Sequence, residues 1–306
     1  MSGKIVVIGS SNVDLIMKVE HLPKPGETVS GGVFHQTYGG KGANQAVAAA
    51  RSCAQVSFIS CLGKDGFSSA FIKNLEKDGI NTKYIQLAPK MATGTALIMI
   101  DNKGENCISV APGANYALNP QHIDQAEAVL HTADLILLQC ELHPDTLQYI
   151  IEKGAAMQKK IVLNLAPAMP LADKYLKLLN ILIVNESEAA FFFIFSVRNI
   201  SEAQNVLGIL AKKTGGGVIL TLGAKGSLLS FGAIKELVPA YPVKAVDTTA
   251  AGDVYCGTLA TALVGGKPLL EAVRFASAAA AIAVTRLGAQ DSAPKLKEIE
   301  AKMRNG

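Results

Sequence analysis

Lys4–Ile8 is a β-branched run ending at Gly9 and reads as a buried strand. From Asn12 to Phe34 the pattern breaks up: Pro23, Pro25 and several glycines rule out a helix, leaving loops and short strands. The pattern then predicts a helix from Gly42 to about Ser52, a strand over Val56–Cys61 and a helix over Ser68–Lys77. Thr95–Ile100 and Asn106–Val110 flank Asp101-Asn102-Lys103-Gly104, a hairpin with glycine in its turn. A regular alternation follows. Strands are expected at Leu135–Leu138, Ile161–Leu163, Ile181–Val184 and Val218–Thr221, with helices at Ile123–His131, Pro144–Lys153, Ser187–Phe195 and Ala203–Lys213. Ala251–Val264, Leu269–Thr285 and Lys295–Met303 read as helices near the C-terminus.

Such alternation implies right-handed crossovers and a doubly wound, mostly parallel α/β sheet with helices on both faces. No fixed-period repeat or low-complexity linker divides the chain, so one domain over 1–306 is expected. The early irregular segment, about 12–36, and the hairpin region, about 93–112, do not fit a βα rhythm. They are expected to form a small β lid outside the main sheet.

Composition narrows this further. About half of the 306 residues are apolar and Trp is absent, so the core must be built mainly from Ala, Val, Ile and Leu. The net charge of +4 is dispersed, with no basic run beyond Lys159-Lys160 and Lys212-Lys213, so no nucleic-acid partner is expected. The five cysteines form no CxxC, which suits a reduced, cytoplasmic chain. The N-terminus carries no cleavage-site pattern, and no apolar stretch reaches the roughly 18 residues of a spanning helix. Neither export nor a membrane partner is expected. The five histidines show no metal spacing.

Asp247-Thr248-Thr249-Ala250-Ala251-Gly252-Asp253 precedes a long Ala-rich helix. Small residues let the backbone approach a ligand, and the free N–H groups of a helix start form an anion site. Asp253 then reads either as a helix cap or as a base beside an anion hole made by Ala250, Ala251 and Gly252. Gly39-Gly40-Lys41-Gly42-Ala43-Asn44-Gln45 also opens a helix, but it lacks the Ser or Thr after Lys of a P-loop and the spacing of the dinucleotide fingerprint. It is either a structural turn or a source of donors, Lys41 and Asn44, to hydroxyls or phosphate. Asn185-Glu186-Ser187-Glu188 follows a strand, so Asn185 and Glu188 share a helical face. They suit a capped helix start or a hydrated Mg²⁺ with phosphates. Thr221-Leu222-Gly223-Ala224-Lys225-Gly226 is a Gly-rich turn between strands. Asn12-Val13-Asp14 and Glu141 bring polar groups where strands end; they are either satisfied surface groups or placed to face a sheet-edge cleft.

Together these segments closely resemble the ribokinase branch of the carbohydrate kinase family, over essentially the whole chain. GGKGANQA and DTTAAGD correspond to its two signature segments, and NVD, Glu141, NESE, TLGAKG and AAAAIAVTRLGAQ follow in order. The resemblance implies an ATP-dependent kinase acting on the 5-hydroxyl of D-ribose, with Asp253 as base. It places the sugar on Asn12, Val13, Asp14, Gly40, Lys41, Gly42, Ala43, Asn44 and Glu141. ATP would lie on Asn185, Thr221, Leu222, Gly223, Ala224, Lys225, Gly226, Gly252, Asp253 and Ser277. Mg²⁺ would be ordered through water by Glu188, and K⁺ would sit on Asp247, Thr249, Ala283, Arg286, Gly288 and Ser292. The lid would make a homodimer.

Three departures from the family pattern stand out. Ser277 replaces a common Asn near the adenine, Val254-Tyr255-Cys256 replaces Thr-Phe-Asn, and Phe191–Phe195 is unusually apolar. The alternatives are a kinase of deoxyribose, fructose or a nucleoside such as adenosine, and a non-catalytic sugar or nucleotide sensor on the same fold. Retention of Asp253, the anion hole and Glu188 speaks against the sensor.

Overall fold

The strand β1 (Lys4–Ile8) sets the frame because both of its faces are covered. Ile5 and Val7 enter one hydrophobic cluster while Val6 and Ile8 enter the other, as the twofold alternation of a strand requires. Each such side chain contributes about 1.5–3 kcal/mol by leaving water. The structure is a computed structural model that describes residues 3–192 and 199–305.

After β1 come β2 (Asn12–Lys18), β3 (Val33–Gly39), α1 (Lys41–Arg51), β4 (Gln55–Gly63), α2 (Ser68–Lys77), β5 (Asn81–Ala88), β6 (Gly94–Ile100) and β7 (Asn106–Ala111). Next are α3 (Pro120–Gln125), α4 (Glu127–Thr132), β8 (Leu135–Leu138), α5 (Pro144–Ala156), β9 (Lys160–Asn164), α6 (Asp173–Leu176), β10 (Ile181–Asn185) and α7 (Glu186–Phe192). The chain closes with α8 (Ile200–Lys213), β11 (Gly217–Thr221), β12 (Ser227–Phe231), β13 (Ile234–Val238), α9 (Ala251–Val264), α10 (Leu269–Ala283) and α11 (Leu296–Asn305).

The main sheet has nine strands in the order β13-β12-β11-β10-β9-β8-β1-β4-β5. It is parallel from β5 to β11, and β12 and β13 are added antiparallel. The doubly wound, mostly parallel sheet expected from the alternation is present. The chain leaves β1 towards β4 on one side and returns to β8 on the other. Their carboxyl ends therefore splay apart at β1 and β8 and open a crevice there.

A second sheet, ordered β3-β2-β6-β7, stands apart from the first. Its central pair is parallel, joining Asn12–Lys18 to Gly94–Ile100 across a long stretch of chain. The early segment is thus more regular than its prolines and glycines suggest, and β3 runs on to Gly39, past the expected boundary. Neither strand carries a continuous apolar run, because the sheet is half exposed and gains its order from a distant partner. The strands β5 and β13 also escaped the pattern: each lies at an edge of the main sheet with one neighbour and little apolar cover. The expected helix Ile123–His131 divides at Ala126, whose φ of −95° and ψ of 10° end α3. The expected Ser187–Phe195 helix begins one residue earlier as α7. Its continuation beyond 192, and with it most of the Phe191–Phe195 run, lies outside the described residues.

The helices α1, α9 and α10 pack on one face of the sheet. Gly257 of α9 lies against the backbone of α1, and a Cβ there would come within 2.3 Å of the Gln45 carbonyl oxygen and 2.9 Å of the Ala48 Cβ. Gly257→Val is therefore expected to separate the two helices and destabilise the fold by about 1–3 kcal/mol, the usual cost of overpacking. Urea denaturation checks this, and an unchanged midpoint would refute it.

Candidate active site

Two helices begin at the crevice, and their N-termini are treated oppositely. The first, α1, has Gly40 at its N-cap with φ of 89°, and a Cβ there would meet the Asn12 nitrogen at 2.7 Å. Glycine is required on both counts. The first N–H groups of α1 are already occupied. Lys41 N donates to Glu141 Oε2 (3.1 Å), Gly42 N to Ser10 Oγ (3.3 Å) and Ala43 N to Ser10 O (2.9 Å). Ser10 Oγ donates in turn to Glu141, tying the ends of β1 and β8 together at the crevice. The α1 terminus therefore holds a carboxylate of the protein itself, while its Lys41 side chain lines the cavity and its Asn44 turns to Asp253.

The N-terminus of α9 is open. Ala250, its N-cap, is left-handed with φ of 57°, a conformation that costs a non-glycine residue about 1–2 kcal/mol. Val254 N reaches back to Ala250 O (2.9 Å), while the N–H groups of Gly252 and Asp253 find no backbone acceptor among the described residues. Strain at such a cap is typical of sites where backbone is held for a ligand. Those N–H groups and the helix dipole face a cavity of about 180 Å³. Lys41, Asn185, Glu188, Thr221, Ala250, Ala251, Gly252 and Asp253, candidates from four separate segments, line it together.

Asp253 is nearly inaccessible to water, 7% exposed. Its Oδ2 accepts from Asn44 Nδ2 and its Oδ1 from Gln45 Nε2, both at 3.0 Å. Burial drives its pKa above the usual carboxylate range, opposed by the Lys41 ammonium and these two amides. Burial alone would lower the pKa of Lys41, but the carboxylates of Asp253, Glu141 and Glu188 outweigh it and hold the ammonium above its ordinary value. Asp14 is pushed up to about 7, first by burial and then by the negative charges of Glu141 and Asp253. Glu188 is raised mainly by burial, although it accepts from Asn185 N (2.8 Å) and Asn185 Nδ2 (3.0 Å). Glu188 N donates back to Asn185 Oδ1, so this pair both caps α7 and presents a carboxylate to the cavity.

Other candidates sit differently. Val13, Ala43 and Leu222 turn their side chains into the core, so only their backbone atoms can meet a ligand. Asn12 is held by Asn115, whose Nδ2 donates to Asn12 Oδ1 at 2.8 Å. Gly223, Ala224 and Lys225 form a short 3-10 turn closed by Gly226, with Lys225 near Glu186 at 3.8 Å. Ser277 is buried on α10 with an unpartnered Oγ and is not among the residues lining the cavity. Asp247 lies ahead of α9 and accepts from Thr249 N and Gly288 N, each at 2.9 Å. Partial burial would raise its pKa, but these donors lower it. Ala283 ends α10, and Ser292 donates to Ala289 O at 2.7 Å. The guanidinium of Arg286 is drawn away to Glu298.

The residues missed from sequence are mostly amides and thiols. Asn164 and Cys256 line the cavity, Gln45 and Gln139 stand behind it, and Asn115 braces Ser11 and Asn12 at the start of β2. Polar ends on apolar strands were the available signal for Gln139 and Asn164. Burial and the neighbouring Asp253 push the Cys256 thiol up, so it stays neutral.

This arrangement can be set beside known proteins. The model of the pfkB family of carbohydrate kinases matches residues 2–296. The chain is 39% identical over 298 residues to a ribokinase of Haemophilus influenzae, covering 97% of each chain. A ribokinase crystal structure from Thermotoga maritima superimposes with a TM-score of 0.90 at 37% identity, covering both chains fully. Arabidopsis thaliana ribokinase, solved with ribose and ATP, superimposes at 0.92 with 30% identity over 99% of each chain.

The raised Asp14 has a consequence for stability. Unfolded, its carboxyl ionises near 3.8; folded, it keeps its proton to about 7. Between those values the folded state must retain a proton or bury a charge, so stability falls as pH rises. Asp14→Asn is expected to raise the melting temperature of the substrate-free protein, and by more near pH 8 than near pH 5. The gain near pH 8 is on the order of a few kcal/mol. Scanning calorimetry at the two pH values checks this, and a gain that is equal or larger at the lower pH would contradict it.

Proposed function

This chain belongs to the pfkB family of carbohydrate kinases, and on that premise we propose that it transfers the γ-phosphoryl group of ATP to the 5-hydroxyl of D-ribose. The observation that carries this reading is Asp253: a buried carboxylate held by two fixed amides beside the open N-terminus of α9. The relatives named ribokinase support ribose as the sugar. Asp14, Glu141 and Lys41 supply polar and charged partners for a small polyhydroxylated molecule at the crevice. A non-catalytic sensor has no use for a base and an anion hole in one cavity.

In the proposed reaction the 5-hydroxyl loses its proton to Asp253 as its oxygen bonds to the γ-phosphorus. The bond from that phosphorus to the bridging oxygen breaks, and ADP leaves. The transition state of phosphoryl transfer is loose, so positioning and charge stabilisation matter most. The N–H groups of Gly252 and Asp253 face the transferring group, and Lys41 balances the surrounding carboxylates. Bound Mg²⁺ would neutralise charge on the phosphates. Glu188 would hold it through water, and among the described residues no group of three or more His, Cys, Asp or Glu side chains is set to hold a metal. Phosphate oxygens and water would therefore supply most of its ligands.

The residues assigned to K⁺ fit it chemically. Asp247 and Thr249 offer side-chain or backbone oxygens, Ser292 its hydroxyl, and Ala283, Arg286 and Gly288 backbone carbonyls. Because Arg286 sends its charge to Glu298, only its carbonyl would face a cation. Bound K⁺ would add positive charge and order beside the α9 terminus.

The second sheet would cover the sugar as a lid formed by about 12–36 and 93–112, and pair with its copy in a homodimer. Val33, Phe34, Leu97, Ile108 and Val110 on this sheet are each more than half exposed, more apolar surface than an isolated ribbon usually leaves in water. The five free cysteines suit a reducing cytoplasm, and no described helix is long and apolar enough to cross a membrane.

Asp253→Asn is expected to lower kcat by about 10²–10⁴-fold while ribose affinity is largely kept, since a general base contributes that much. A coupled ADP-release assay over ribose, deoxyribose, fructose and adenosine tests base and substrate together. Turnover of the variant within about threefold of the parent would sink the base assignment, and a stronger response to deoxyribose would favour that sugar instead.

Activity is also expected to be higher in K⁺ than in Na⁺. Initial rates in each salt at equal ionic strength test this, with tetramethylammonium as the inert control. Equal rates in all three would refute the site.

A further inference from the structure

Behind Asp253 a chain of buried amides continues from Gln45, one of the two that hold its carboxylate. Gln45 and Gln139 are both fully buried. Gln45 Nε2 donates to Asp253 Oδ1 at 3.0 Å and to Asn164 Oδ1 at 3.1 Å, and Gln45 Oε1 accepts from Gln139 Nε2 at 2.7 Å. Its donors and its acceptor are thus all engaged, by α9, by β9 and by the end of β8. We propose that Gln139 and Gln45 form a directed amide relay that positions the Asp253 carboxylate as a proton acceptor, making both of them positioning residues for phosphoryl transfer. This rests on the reading of Asp253 as the base.

The direction of the relay follows from satisfiability. A side-chain amide can be turned over, exchanging its oxygen and nitrogen, so its orientation is set by its neighbours. Asn164 Nδ2 donates to Ile183 O at 3.5 Å, which turns Asn164 Oδ1 towards Gln45. Gln139 presents Nε2 to Gln45 and leaves its own Oε1 buried without a partner. That unpaired oxygen is a cost no packing requirement explains. It follows if Gln45 must present oxygen to Gln139 in order to present nitrogen to Asp253. The opposite sense would set the Gln45 oxygen against a carboxylate. The backbone accommodates the arrangement: a Cβ on Gly9 would fall 1.9 Å from Gln139 Oε1.

Charged and titratable groups face Asp253 from every side: Lys41 of α1, Glu141 after β8, Asp14 of β2, Glu188 of α7 and Cys256 of its own helix. Their combined field on Asp253 would change when an anionic ligand binds among them. The relay is neutral and buried, so its donation to Oδ1 persists as the others change.

The test uses the isosteric variants Gln45→Met and Gln139→Met of the full chain, with Asp253→Asn as control. For Gln45→Met, kcat should fall about tenfold or more, with KM for ATP and ribose within about threefold of the parent. Its acidic limb of kcat against pH should move up by about one pH unit, as expected for losing a hydrogen bond to a charged group. Gln139→Met should move the same limb in the same direction by less. Variant profiles that superimpose on the parent, with Asp253→Asn inactive, would overturn the relay and leave the base intact. An active Asp253→Asn would instead remove the base reading itself. Should a variant not fold, nuclear magnetic resonance on the unmodified protein decides. The Gln45 side-chain amide signal should titrate with the midpoint of the acidic limb, and a signal that ignores pH would overturn the proposal.

Discussion

A carboxylate shut away from water has to be held by groups that are themselves immobile, and Asp253 imposes that condition on everything around it. Its desolvation is offset by Lys41, Asn44 and Gln45, which all belong to the first turns of one helix. Those turns are in place because α1 packs on α9 closely enough for Gly257 to meet the Gln45 carbonyl. The strand order opens the crevice, but the placing of Lys41, Asn44 and Gln45 within it answers to this buried negative charge and to the contact that fixes its partners. With ATP bound, the same enclosure would keep water from competing for the phosphoryl group.

The two glycine-rich helix starts show how position decides the use of similar local chemistry. Both offer free N–H groups at the carboxyl edge of a parallel sheet. The N–H groups of α1 meet Ser10 and Glu141, so that terminus binds the protein's own anion and braces the crevice where the strand order reverses. Those of Gly252 and Asp253 in α9 meet no such partner among the described residues, and the left-handed Ala250 turns them to the cavity.

The second sheet follows a different constraint. Its strands leave β1 and α2–β5 as excursions and find each other at long range, giving a half-exposed ribbon with apolar residues in water. Its rooted end carries Asn12, Val13 and Asp14, with Val13 in the core and Asp14 among the carboxylates. The ribbon is therefore rooted at the crevice through the start of β2.

The apolar runs of the central strands, each followed by a helical pattern, determined the main sheet, because a strand buried on both faces must be continuously apolar. Edge strands such as β5 and β13 lacked that signature, having one neighbour and little cover. The small-residue string before α9 and the Gly-Lys-Gly turn before α1 were legible as helix starts near a ligand, since their spacing is local. What lay beyond local spacing was left to the tertiary structure. Nothing in the sequence says that Glu141 and Ser10 would close α1 while α9 stayed open. Nor does it say that Gln45, Gln139 and Asn164, from a helix and two strand ends, would converge behind Asp253. Amides carry no periodic or charge signal, and their meaning depends on which donor faces which acceptor once distant segments are packed together.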